Sequence, residues 1–553
     1  MDRKRVLVVG GVAGGASCAA RLRRLDESAE IVVFDRGHFA SFANCGLPYY
    51  VGDVIADEAR LLVATPELFR TRFNIEVRTR EEVISIDRDN RIITVKNLKT
   101  GNTRSEHYDA LVLAPGAAPI RPPLPGIGLP GIFTVRTIPD SRRIREWIDE
   151  SRARKTVIVG AGFIGLEMAE NLVKRDLGVT IIEATDQVMP PMDREMAEFV
   201  SRHLGKHGVN LHLSDPVASF GECDGRVASV ITRSGAVLDA DMVVLAIGVR
   251  PEISLARDSG LEIGPRGGIR VNESMQTSDP HIWAVGDAVE VSDFVTGDSI
   301  VIPLAGPANR QGRIAAEAIC GRPTRFRGVQ ATAVCGVFGL AVASTGISEK
   351  RLILAGNTDY EVVYLHPGHH AGYYPGAKPI HLKLIFQPSD GLILGAQAVG
   401  EEGVERRIDV ISMAIQKRGT VFDLEEAELC YAPQFGAAKD PVNVAGMIAA
   451  NVLRGDAKVA RWKDLPSTQA LLLDVREPDE FKRGAIDGAI NLPLGELRQR
   501  SGELPRNREI WVNCGVGQRA YYAVRFLQQA GFEARNLSGG YQTWQAWYPA
   551  GMA

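Results

Sequence analysis

Thr156-Val-Ile-Val-Gly160-Ala-Gly162-Phe-Ile-Gly165-Leu-Glu167 is an apolar run, a turn with three spaced glycines and the start of a helix. Each glycine answers a separate demand: a tight turn after a strand, backbone approach to a pyrophosphate, and close packing of helix on strand. The helix N-terminus offers unpaired N–H groups and a partial positive charge to phosphates. The next apolar run, Val179-Thr-Ile-Ile-Glu183, ends in an acid placed for ribose hydroxyls. The stretch predicts a βαβ dinucleotide cradle.

The chain holds an earlier copy. Val6-Leu-Val-Val-Gly10-Gly11-Val12-Ala13-Gly14-Gly15 is a strand feeding a glycine turn, with Val12 in the middle glycine's place. A helix with apolar Cys18, Ala19, Ala20, Leu22 and Leu25 follows, then a strand, Ile31–Phe34, that ends in Asp35. One such motif is weak, but two in one chain predict two dinucleotides. Glu183 suits a free 2′-hydroxyl and repels a 2′-phosphate, which favours NADH over NADPH at the second cradle. Tyr108-Asp-Ala-Leu-Val-Leu-Ala-Pro-Gly116 and Met242-Val-Val-Leu-Ala-Ile-Gly248 are buried-type strands ending in turns. Ile282-Trp-Ala-Val-Gly286-Asp287 puts an acid at a strand's C-terminal end, where ligands of open α/β sheets bind; Asp287 could otherwise be a helix N-cap. This order implies that the second nucleotide domain is inserted into the first.

At 553 residues the chain predicts several domains, and 45% hydrophobic with 24% charged residues is ordinary for a soluble protein. A net charge of −3 makes no case for nucleic acid or an anionic membrane. Seven cysteines at wide, irregular spacings fit neither a disulfide framework nor a CxxC metal site, which favours a reducing compartment. Met-Asp-Arg-Lys-Arg runs straight into the first strand without an apolar signal region, and no segment reads as a membrane span. The expectation is a cytoplasmic protein with no metal site.

Just beyond the first cradle lies Ser41-Phe-Ala-Asn44-Cys45-Gly-Leu-Pro48-Tyr-Tyr-Val-Gly52. The next cysteine downstream is Cys223, so a short-spaced disulfide is missing. A redox-active Cys45 would pair with something external: a small thiol, a persulfide sulfur or an oxygen as sulfenic acid. A free cysteine can equally be a small buried hydrophobe.

Residues 1 to about 450 resemble the two-dinucleotide flavoprotein disulfide reductases, and the Cys45 stretch resembles their single-cysteine coenzyme A disulfide reductase branch. The resemblance implies FAD in the first cradle (Gly10, Gly11, Ala13, Gly14, Gly15, Asp35), with Gly116 and Asp287 on the flavin. It implies NADH (or NADPH) at Gly160, Gly162, Gly165, Glu183 and Gly248. Cys45 would cycle through a mixed disulfide with coenzyme A, positioned by Ser41 and Asn44, with Arg21, Arg24 and Arg72 as candidates for its phosphates. Related NADH peroxidases and oxidases carry a histidine where this chain has Ala13, which lowers that reading. Strand-like runs at Tyr360–Leu365 and Ile380–Phe386 and a helical run at Val404–Arg418 resemble the family's interface domain and imply a homodimer. Tyr373, next to the confusable Tyr374, and Tyr431 match tyrosines that the branch places beside the partner's cysteine; a phenol there could protonate a leaving thiolate or fill the interface.

Near Arg454-Gly-Asp-Ala-Lys-Val the pattern restarts. Leu471-Leu-Leu-Asp474-Val-Arg476 is a buried strand, and Ile510-Trp-Val-Asn-Cys514-Gly-Val-Gly-Gln-Arg519 ends in a cysteine loop closed by arginine. Successive N–H groups before a helix make an anion nest that stabilises a thiolate or a persulfide. With Ser538-Gly-Gly-Tyr541, these runs resemble a rhodanese domain; Gly484-Ala-Ile-Asp-Gly-Ala-Ile-Asn491 departs from its usual histidine and proline positions. The expected fold class is α/β: two Rossmann-like domains, an α+β dimerisation domain and an α/β rhodanese domain. The expected boundaries are FAD domain 1–148 and 246–328, NAD(P)H domain 149–245, interface 329–448, linker 449–459 and rhodanese 460–553. Together they predict an NADH-driven reductase of persulfide, polysulfide or coenzyme A persulfide through Cys45, with Cys514 and Arg519 supplying sulfane sulfur. A coenzyme A disulfide reductase that maintains a thiol pool, an NADH oxidase or peroxidase, and a rhodanese serving only as a docking module are the alternatives.

Overall fold

The computed structural model describes residues 3–549, which form two compact units. The first holds the chain up to residue 184 together with 212–331. Its first sheet is parallel, in the order Ile282–Ala284, Ala110–Leu113, Arg5–Val9, Glu30–Asp35, Glu76–Thr79. Val6, Leu7, Val8, Val32, Val33, Leu111 and Val112 are all fully buried there, as continuous apolar strands covered on both faces require. The order turns around Arg5–Val9, so the first glycine turn sits at the topological switch point. Helix Ala13–Leu25 packs against helix Ala305–Ile319 so closely that a Cβ on Gly312 would lie 2.2 Å from the Gly14 carbonyl oxygen.

The second parallel sheet of this unit runs Ile132–Thr134, Met242–Leu245, Lys155–Val159, Gly178–Ile182, with helix Phe163–Val173 after the glycine turn. The crossings between the two nucleotide sheets, Ala117–Pro119 and Val249–Pro251, pair antiparallel.

The other unit holds 185–211 and the chain from 332. An antiparallel sheet runs Ala333–Val337, Leu340–Gly346, Ile393–Gly400, Ile380–Phe386, Glu361–Leu365 and packs against helix Val404–Gln416. Residues 185–211 belong here, although they follow the second cradle in sequence, because their acids are claimed by this sheet. Asp193 accepts the N–H groups of Glu349 and Lys350 at 3.0 and 2.9 Å. The fully buried Lys383 ammonium meets Asp193 at 2.8 Å, Glu195 at 2.6 Å and Glu349 at 2.7 Å. A second, parallel sheet in this unit runs Val459–Ala460, Ala534–Leu537, Ile510–Asn513, Leu471–Asp474, Ile490–Asn491. No helix of the described residues is long and apolar enough to cross a membrane.

Candidate active sites

The two glycine turns are built alike. Gly10 donates to the Phe34 carbonyl and Gly160 to the Ile182 carbonyl, each at 2.8 Å. One residue on, the Gly11 N–H reaches Asp35 at 3.0 Å and the Ala161 N–H reaches Glu183 at 2.9 Å. Asp35 also takes the Gly37 N–H at 2.7 Å. Burial raises the Asp35 pKa, and the two N–H donors oppose that rise. Gly10 and Gly160 adopt φ of 96° and 106°, a region that favours glycine. A Cβ on Gly15 would lie 1.9 Å from the Gly10 oxygen, and one on Gly165 2.0 Å from the Gly160 oxygen. Gly162 is different, since a Cβ there meets no protein atom within 4 Å and its φ is an ordinary −80°. Neither protein packing nor backbone strain calls for that glycine, whereas a pyrophosphate against the turn does. The residues therefore fit a bound dinucleotide. Val12 takes the equivalent N-cap position in the first cradle, where helix Ala13–Leu25 begins. A Cβ on Gly14 would lie 2.9 Å from the Val285 side chain.

Cys45 lies in a short 3-10 turn, Asn44–Gly46, that runs into helix Leu47–Val51. Ser41 is buried at the start of a two-residue strand just upstream. Asn44 Nδ2 donates to the Arg136 carbonyl at 3.2 Å, while its Oδ1 is buried with no partner, an acceptor that suits a donor on a bound ligand. The Arg136 guanidinium pairs with Asp287 at 3.0 Å, and no helix starts at Asp287. Cys45 keeps exposed surface, yet protein packed around its thiol pushes the pKa up. Glu167 and Asp287 push it further, and Arg136 pulls it down. Burial lifts the Glu167 carboxyl to about 7, against the Tyr49 hydroxyl that donates to it at 3.4 Å. Cys45 thus feels one acid from the second cradle's helix and one from the strand end of the first nucleotide sheet. Sequence reasoning overlooked Arg136, Tyr49 and the role of Glu167; the acid stood two residues beyond Gly165, but only the folded chain brings it to the cysteine.

Gly116, at φ 76°, would place a Cβ 3.1 Å from Arg136, and Gly248, at φ 106°, would place one 3.8 Å from the Ile120 side chain. Arg21 pairs with Glu317 at 2.6 Å, whereas Arg24 and Arg72 are exposed.

In the other unit, Tyr373 and Tyr431 hydrogen-bond through their hydroxyls at 2.8 Å and remain 76% and 49% exposed. The Tyr431 hydroxyl bond raises the Tyr373 pKa. Their loops are joined by the Ala371 N–H to the Gly436 carbonyl at 2.9 Å, and the buried Arg407 ties His369 to Asp440 beneath them.

Cys514 is buried at the end of strand Ile510–Asn513, and the Gly517 N–H reaches its sulfur at 3.2 Å. Helix Gln518–Gln529 starts directly beyond, so its N-terminus faces the loop. Arg519 is clamped by Glu480 through two bonds of 2.7 Å and lies near enough to Cys514 to act on it electrostatically. That arginine holds Glu480 down at about 2. Arg476 pairs with buried Asp474 at 2.7 Å and lies 4.2 Å from the centre of the Tyr541 ring.

Residues 4–312 match the pyridine nucleotide-disulphide oxidoreductase family model, 332–440 the dimerisation domain of those enzymes, and 457–546 the rhodanese-like domain. A coenzyme A disulfide reductase of Staphylococcus haemolyticus is 35% identical over 80% of this chain and 98% of its own length. An NADH oxidase of Methanocaldococcus jannaschii is 39% identical over 80% and 97%. The crystal structure of reduced Bacillus anthracis CoADR-RHD superposes with a TM-score of 0.97 at 48% identity, covering 99% of both chains. A NAD-dependent persulfide reductase from A. fulgidus gives 0.91 at 40% identity, covering 98% of this chain and 100% of the other.

Proposed function

Because the chain belongs to the pyridine nucleotide-disulphide oxidoreductases, we propose that it is an FAD-dependent, NADH-driven reductase of coenzyme A persulfide and related polysulfides, with a sulfurtransferase domain that supplies sulfane sulfur. The observation that carries this reading is the setting of Cys45: a single cysteine under the joint influence of Glu167 and Asp287. The Glu183 carboxylate at the second cradle supports NADH over NADPH. Bound FAD supplies the two-electron reduction of a disulfide.

The chain's own groups act as follows. Cys45, as thiolate, attacks the carrier-side sulfur of the persulfide. The bond between the two substrate sulfurs breaks, hydrosulfide leaves, and Cys45 is joined to coenzyme A in a mixed disulfide. Two electrons cleave that bond to the Cys45 thiolate and the coenzyme A thiolate, which takes a proton. The exposed Tyr373–Tyr431 pair supports proton delivery by Tyr431 of the partner subunit in a homodimer, a state suggested by the dimerisation domain. The unpartnered Asn44 Oδ1 supports a ligand-orienting role beside Ser41. Arg24 and Arg72 would meet the phosphates, joined by Arg21 on exchange of Glu317. Cys514, held by Gly517 and Arg519, carries sulfane sulfur as a persulfide. Seven free thiols among the described residues support a cytoplasmic setting.

The staphylococcal relative favours a second reading, coenzyme A disulfide reduction, with the same residues. The test is hydrosulfide released per NADH. Coenzyme A persulfide should give one for one, faster than coenzyme A disulfide is reduced, and Cys45→Ser should lose both activities. A faster disulfide reaction supports the second reading, and rapid NADH consumption with oxygen alone supports an oxidase.

A further inference from the structure

The Cys514 loop is completed by residues 150 or so positions upstream in the chain. Gly517, the N–H donor to the Cys514 sulfur, packs on the Gly539–Gly540 turn: a Cβ on Gly517 would lie 2.9 Å from the Gly539 nitrogen, and one on Gly540 2.2 Å from the Cys514 oxygen and 2.8 Å from the Gly517 nitrogen. The Tyr541 N–H donates to the Cys514 carbonyl at 2.7 Å, and the Gln542 N–H to Gly515 at 3.1 Å. The other side of this turn rests on the edge strand Glu361–Leu365. There the Ser538 hydroxyl accepts the Tyr364 N–H at 2.8 Å and donates to the Tyr364 carbonyl at 3.0 Å. Immediately after that strand, His366 Nε2 is 2.8 Å from Thr543 Oγ1, and its Nδ1 is 2.8 Å from His381 Nδ1. A Cβ on Gly539 would fall 2.8 Å from Tyr364 and 3.1 Å from His366. The turn is thus gripped between the antiparallel sheet and the cysteine loop, with Gly539 and Gly540 at φ 74° and 61° and no side chain to cushion a shift.

We propose that Tyr364 and His366 are positioning residues for Cys514: they press Gly539–Gly540 onto Gly517, which aims the Gly517 N–H at the sulfur, so the sulfurtransferase site is set by the dimerisation domain. This rests on the reading of Cys514 as the sulfur-carrying cysteine. Without that support the turn relaxes, the N–H swings off the sulfur, and the thiolate loses a donor while Arg519 and Glu480 stay in place.

The test is the pH dependence of Cys514 alkylation by iodoacetamide, followed by peptide mass in the full-length, flavin-loaded enzyme, with sulfurtransferase and NADH-linked activities read in parallel. His366→Ala and, independently of the histidine pair, Ser538→Ala should each move the Cys514 alkylation profile to higher pH and slow alkylation at neutral pH several-fold. Sulfurtransferase kcat/KM should fall by a similar factor, and reduction of free coenzyme A persulfide should be unchanged. His366→Gln, which keeps a hydrogen-bonding group for Thr543, should restore most of the loss. An unshifted alkylation profile in well-folded Ser538→Ala overturns the proposal, as does equal loss in His366→Gln and His366→Ala. Absence of sulfurtransferase activity from the wild type would instead count against the Cys514 reading, with the alkylation shift still deciding the positioning claim.

Discussion

Glu167→Gln tests the electrostatics around Cys45. Burial moves the Glu167 carboxyl from 4.5 to about 7. At about 1.4 kcal/mol per pH unit, ionising it in place costs roughly 3 kcal/mol. The folded-state pKa is raised, so the native state binds the extra proton between pH 4.5 and about 7. Its relative stability is intact below 4.5 and falls as pH rises through 7. Between pH 5.5 and 8.5 the wild type should therefore lose about 2 kcal/mol that Glu167→Gln keeps. Denaturant unfolding of both proteins, at matched flavin content and both pH values, reads this difference. Cys45 alkylation gives a second readout: with the acid gone, the thiol should react faster at pH 8.5, because the carboxylate raises its pKa. A stability gap that is the same at both pH values, or an unaltered alkylation rate, refutes the reasoning.

Gly162→Ala should leave stability within about 1 kcal/mol, the cost of a changed N-cap, while raising the KM for NADH, because the added methyl meets no protein atom. Gly165→Ala, 2.0 Å from the Gly160 oxygen, should destabilise by several kcal/mol on thermal unfolding. Glu183→Ser should narrow the NADH-over-NADPH preference in kcat/KM by about tenfold, since the acid's repulsion of a 2′-phosphate goes. Lys383→Met strands three buried carboxylates and should cost about 3–5 kcal/mol in denaturant unfolding.

Both glycine turns were legible because spaced glycines between a strand and a helix have few structural meanings, even with Val12 in the middle position of the first, and the acids Asp35 and Glu183 fell where the second strands end. The cysteine loop was legible for a similar reason, since Cys514, Gly517 and Arg519 lie within six residues. What pattern reading missed is assembled across the chain. Arg136 follows a short strand with nothing local to mark it, and it matters only once Asp287 and Asn44 arrive. Lys383 interrupts an apolar strand and looks misplaced until residues 193, 195 and 349 converge on it. For the same reason residues 185–211 follow one domain in sequence but join another in space. Tyr364 and Ser538 lie 174 positions apart, beyond any local signal.

The central claim is that Cys45 alternates between a thiol and a mixed disulfide with coenzyme A. Intact mass of the enzyme after coenzyme A disulfide treatment, before and after NADH, tests it on wild type and Cys45→Ser. The account predicts one coenzyme A adduct per chain on Cys45, lost with NADH and absent from the variant. A mass showing only added oxygen on Cys45, or an adduct that persists in Cys45→Ser, would contradict it.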